Sequence, residues 1–195
     1  MKNQFKEAFF SSPFESKYDS LINETVSHCK EWALERWGID NPNIPPEAFK
    51  ILSAPYPRKF DDADLKIKIT KNKKILSSNH QVTCFLLADF EIFVYRLTYS
   101  LILPIKNHLS AVFSYKDIVS LISGEGVARY NSQKDSLTAF YCPEKTCRLS
   151  ALNGYNIDFF IDNNKSSQET VSQIRKELFT KKEYIIIKNN NYKNF

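Results

Sequence analysis

Seven basic side chains fall between positions 58 and 74: Arg58, Lys59, Lys66, Lys68, Lys71, Lys73 and Lys74. Cations at this density neutralise phosphates, and binding of that kind weakens steeply with salt. Lys66 and Lys68 are two apart, so on a strand they share a face. The other three lysines crowd the turn that follows. The competing account is a solvated edge strand, because exposed lysines guard against edge-to-edge pairing. Asp61, Asp62 and Asp64 dilute the field, and the plain surface is the favoured account. Those three aspartates raise a second chemistry. Clustered carboxylates hold divalent ions in nucleases, and Asp64 stands just before a strand pattern. No distant glutamate can be assigned as their partner, so a solvated loop is favoured there too.

Cys142 and Cys147 are separated by four residues, a spacing found in half of a structural zinc site. His80 and Cys84, four apart, are the candidates for the other half. No second tight Cys/His pair exists, so a polar turn with reduced cysteines is favoured. Nucleophilic pairing of a thiol with a histidine has no local support. Cys29 falls on an apolar helical stripe beside His28, while His80 and His108 each follow an asparagine in an expected loop. Gly124-Glu125-Gly126 resembles a phosphate loop only in composition. A helix is expected before it rather than after it, so helix termination is the better account. Arg129 alone is thin support for an anion. Among the aromatics, Trp32 reads as core, whereas Trp37 at a helix end and Tyr56 between two prolines are candidate partner anchors.

These residues need elements to position them. Phe14, Tyr18, Leu21, Ile22, Val26, Cys29, Trp32 and Ala33 recur at steps of three and four, which predicts an amphipathic helix over 14–37. Ser12, Pro13 and Glu15 supply start signals and Gly38 a stop. Pro46 opens a short helix over 47–52 within a proline-rich connector, 42–63. Period-two alternation from Asp64 predicts a half-buried strand with a basic outer face, a turn over 71–74 and a return at Ile75. Apolar runs over 81–88 and 90–103 read as buried strands. Ser114 and Asp117 predict a short helix to about Ser123. Short strands follow at 127–130, 137–141, 148–152 and 157–161, with Asn153-Gly154 as a hairpin turn. Ser166 and Glu169 form a capping box for a helix to Phe179, and 184–188 reads as a last strand. The fold class is therefore α+β, a largely antiparallel sheet with a long N-terminal amphipathic helix and a C-terminal helix. One domain is expected: a helical element at 1–41, the connector, a body at 64–188 and a polar tail at 189–195.

The 195 residues suffice for a packed core, and 43% apolar composition excludes global disorder. From position 58 onward there are 21 basic and 14 acidic side chains, a net charge of +7, while 1–57 is net −2 with 6 against 8. Four unevenly placed cysteines do not make a disulfide framework. Met1–Glu7 is polar, no apolar signal region follows, and charges interrupt 85–105. A cytoplasmic protein without a membrane partner is expected, with signal-independent secretion the alternative. The expected function is non-enzymatic binding or regulation through protein–protein contacts, with the basic surface as a contact for nucleic acid and no cofactor. The rival class is a small metal-dependent, nuclease-like hydrolase at Asp61, Asp62 and Asp64.

Overall fold

The structure, a computed structural model, describes residues 12–40, 43–58, 60, 65–70, 75–131 and 139–192. It is an α+β fold of antiparallel sheets between two long helices. Helix α1 runs over Ser12–Trp37. Tyr18, Ile22, Cys29 and Ala33 form its buried stripe. Gly38 ends it at φ +66°. The Gly38 N–H donates to the Glu35 carbonyl at 3.1 Å and the Ile39 N–H to the Leu34 carbonyl at 3.0 Å. These are the two bonds of a Schellman motif, which needs a left-handed residue where glycine is cheapest.

One 3-10 turn, Pro46–Ala48, leads into β1 (Phe49–Pro55). The helix expected over 47–52 therefore stops after one turn. Phe49, Ile51 and Leu52 continue instead into a strand, and the proline-rich stretch supplies a sheet edge rather than irregular chain. The main sheet has the order β1-β4-β5-β6, all antiparallel, with β4 Asn79–Leu87, β5 Glu91–Ser100 and β6 Lys106–Ser114. All nine residues of β4 are buried, the polar Asn79, His80, Gln81 and Thr83 among them, as befits a strand covered on both faces. In chain order, β1 and β4 are separated by a small sheet of its own, β2 (Ile67–Ile69) and β3 (Ile75–Ser77). Lys68 pairs with Leu76, so its side chain shares a face with a residue that is buried against Tyr18 and Ile22. The lysine face is thus not the free outer face that the alternation predicted. The turn over 71–74 lies outside the described residues.

The second sheet has the order β7-β8-β9, with β7 Ile118–Asn131, β8 Ala139–Ala151 and β9 Asn156–Phe160. Only a 3-10 turn, Tyr115–Asp117, stands where a helix to Ser123 was expected. Ile118 and Val119 then favour the extended chain through their branched side chains. Gly124 and Gly126 fall inside β7 and pair with Thr146 and Glu144, so they terminate no helix. The four expected short strands become three, since β8 absorbs two of them and β7 is longer than expected while β9 keeps five residues, and Asn153-Gly154 makes the hairpin turn, with Gly154 at φ +81°.

Helix α2 covers Lys165–Tyr192. Its cap is Asn164, whose Oδ1 accepts from the Ser167 N–H at 2.8 Å, rather than Ser166. Positions 184–188 are helical and not a strand, since extending an established helix is easier than nucleating a new element. Val171, Ile174 and Leu178, three and four apart, enter the main core with Phe85, Val94, Leu149 and Phe159. That core lies between the two sheets and α2, while α1 covers the opposite face of the main sheet over Val82, Cys84, Tyr95 and Leu97. No helix among the described residues is long and apolar enough to cross a membrane.

Candidate functional site

The free edge of β9 runs against the main sheet and is hydrogen-bonded by its side chains. The Phe160 N–H donates to Gln81 Oε1 at 2.7 Å, and Arg96 Nη1 donates to the Asp158 carbonyl. Two backbone groups that would otherwise need another strand are satisfied this way. This docking brings residues from four segments together. Arg148 on β8 faces Asp158 on β9 across the ladder. It forms a two-bond fork, Nε to Oδ1 at 2.7 Å and Nη2 to Oδ2 at 2.9 Å. Arg58 sits 5.1 Å over the Phe160 ring. The Asp158 carboxyl is held below its ordinary range, first by the Arg148 hydrogen bonds, with the Arg148, Arg58 and Arg96 charges adding to them against the effect of burial. Burial pulls the Arg96 guanidinium down from its usual value, and the charges of Tyr56, Asp158 and Tyr155 act the other way.

Among the described residues, Arg148 contacts this carboxylate directly, Arg96 bonds the backbone carbonyl of the same residue, and Arg58 lies over the neighbouring Phe160 ring. The sequence holds 21 lysines and only 6 arginines, so half of its arginines converge here. Arginine suits such a place because its planar fork engages carboxylate or phosphate through two bonds at once. Arg148 and Asp158 are about half exposed, at 57% and 51%. Aromatic rings border the cluster. Tyr56 packs edge-on against Phe160 at 5.2 Å and beside Phe60 at 5.6 Å, and Tyr155 is 44% exposed against Phe113.

The sequence-derived candidates are distributed as follows. Arg58 and Tyr56 belong to this cluster. The segment is anchored by Asn79, whose side-chain amide donates to the Arg58 carbonyl at 2.8 Å. Lys66 and Lys68 lie on the small hairpin, while Lys59, Lys71, Lys73, Lys74, Asp61, Asp62 and Asp64 lie outside the described residues. Trp37 is half-buried 5.6 Å from Phe93 at the end of α1. Outside those candidates, Lys181 and Lys182 of the C-terminal helix hold fold contacts, donating to the Leu87, Ala88 and Ile118 carbonyls.

His80 and Cys84 point to the α1 side of the main sheet, whereas Cys147 is buried between the sheets, so these three do not form one metal site. Cys142 lies in β8 opposite Ala128. Neither expected loop histidine is in a loop. His80 is buried in β4, with Nε2 2.7 Å from Ser53 Oγ. His108 is on β6 with Nδ1 2.8 Å from the Tyr95 hydroxyl, and desolvation, then Arg36 and Lys106, hold its pKa below the usual value. The neighbouring Cys29 thiol and burial push the Cys84 thiol up, and burial pushes up Cys147, which makes both poor nucleophiles.

Sequence reasoning missed Arg96, Arg148, Tyr155 and Asp158. One signal was available. A hairpin centred on Asn153 sets residues 148 and 158 opposite each other, and a cross-strand Arg–Asp pair follows. No protein-family model, curated protein or solved structure matches the chain.

Proposed function

We propose that this chain is a non-enzymatic binding protein whose contact surface is the arginine–aromatic cluster around Asp158, and that its partner is anionic there. The observation that carries the proposal is the gathering of Arg58, Arg96 and Arg148 along β9 at Asp158 and Phe160, among the described residues of a lysine-rich chain. Arg96 also locks the β9 edge to the main sheet, so the site rests on a rigid element. Arg148 spends two of its N–H donors on Asp158 and keeps the rest for a ligand. A protein partner would meet this surface through acidic side chains, and a nucleic acid through phosphates.

Retention on immobilised heparin tests the proposal. The purified protein is expected to be retained at low salt, and Arg58→Glu with Arg148→Glu is expected to elute well before it. Retention unchanged by both substitutions refutes this surface. Cleavage of a nucleic acid that requires added Mg²⁺ or Mn²⁺ refutes the non-enzymatic assignment and returns attention to Asp61, Asp62 and Asp64.

A further inference from the structure

We infer that β6 is an interface, paired antiparallel with β6 of a second copy of this chain about a two-fold axis at Ser110. Among the described residues β6 pairs with β5 alone, so its outer side is an edge of the main sheet. Two bonds fix which groups point outward. The Ser100 N–H donates to the Ile105 carbonyl at 3.0 Å and the Tyr115 N–H to the Phe90 carbonyl at 3.1 Å. Bonded pairs alternate along an antiparallel ladder, so Asn107, Leu109, Ala111 and Phe113 turn their backbone groups to β5. Lys106, His108, Ser110, Val112 and Ser114 therefore turn theirs away from the sheet. The edges at β1 and β9 each carry a guard. β9 is bonded by Gln81 and Arg96, and β1 ends on Pro55, which has no N–H to give. β6 is guarded only at its start, by Lys106. Its nine residues hold no proline, its register with β5 runs without a shift, and Val112 is 47% exposed. A regular, exposed edge of this kind is a template for another strand.

The occupant is a second copy because the strand complements itself. About Ser110, Lys106 lies opposite Ser114 of the other copy, and Glu91 stands next to that Ser114 on the same face of β5. Opposite charges thus meet at both ends, and the two Lys106 residues stand roughly 26 Å apart. The middle of the ladder holds no Asp, Glu, Lys or Arg. This register gives each outward backbone group a partner, and a two-fold contact uses up the edge and closes the assembly at a dimer.

The test is sedimentation velocity of the purified full chain from about 1 to 100 µM, a range set by the Kd on the order of 10 µM expected of a small interface. Ser110→Pro removes an outward N–H and leaves the bonds to β5, and Val112→Lys supplies a guard in mid-strand. Each should raise the Kd about tenfold or more, with the circular dichroism spectrum and melting temperature of the parent. Val119→Lys, at a similarly exposed residue of β7, should dimerise like the parent. Hydrogen exchange of the parent reads the edge without any variant. The amides of His108, Ser110 and Val112 should slow as concentration rises, while those of Leu109 and Ala111 are slow throughout. A parent monomeric up to about 100 µM overturns the assignment, as does growth beyond a dimer. So does a dimer that survives both folded variants, one lost in Val119→Lys, or one that forms without slowing the outward amides.

Discussion

Gln81→Leu probes the joint on which the site depends. Gln81 is 2% exposed and bridges the two sheets. Its Oε1 accepts from the Phe160 N–H at 2.7 Å and its Nε2 donates to Thr98 Oγ1 at 3.3 Å. Leucine has similar bulk and no polar atoms, so the packing survives and two buried groups lose their partner. An orphaned backbone N–H costs roughly 1–3 kcal/mol, and the long Thr98 contact adds at most about 1 kcal/mol. The expected loss is about 2–3 kcal/mol. With a urea slope of roughly 2 kcal/mol per molar, the unfolding midpoint should fall by about 1–1.5 M at unchanged slope. Hydrogen exchange gives the local readout, because the Phe160 amide should lose protection beyond the global change. A midpoint within about 0.2 M of the parent, on the roughly 2 kcal/mol per molar scale, with Phe160 still protected, refutes the side-chain bridge.

Three further outcomes follow from local chemistry. Gly38→Ala should cost about 1 kcal/mol, because φ is +66° while open space surrounds the added methyl; a melting temperature within 1 °C of the parent, against the roughly 2–4 °C that such a cost implies, contradicts the αL cap. Cys29, Cys84 and Cys147 are fully buried, so native protein at pH 8 should leave all three unlabelled by a thiol reagent, as peptide mapping would show, and denaturation should expose them. The Asp158 carboxyl is depressed in the folded chain, so its contribution is complete above the unfolded value of about 3.9 and fades as pH falls through the lower folded value. Both partners of the pair are half exposed and screened by solvent, so the contribution is small, and Asp158→Asn should flatten the acid limb of stability against pH only slightly.

Much of the fold was legible because local signals agreed with tertiary packing. The apolar stripe of α1 and the Gly38 stop locate a helix that packs as its pattern requires. Asn153-Gly154 locates a hairpin. Where local signals pointed two ways, tertiary structure decided. Ser114 precedes and Asp117 ends a single 3-10 turn, and the branched residues after them extend into β7. The 184–187 run has strand composition, yet it continues α2. The site was mostly hidden. Arg58, Arg96, Arg148 and Asp158 belong to four segments, brought together only when β9 docks on the main sheet. Arg148 and Asp158 alone were reachable from sequence, through the hairpin register.

The central claim makes opposite predictions for two partners in one ion pair. Asp158 competes for Arg148, so removing its charge should strengthen an anion site and removing Arg148 should weaken it. The measurement is the salt concentration at which each variant leaves immobilised heparin, with circular dichroism confirming the fold. Asp158→Asn is expected to elute at higher salt than the parent and Arg148→Glu at lower salt. A folded Asp158→Asn protein that elutes with the parent or earlier would contradict the account.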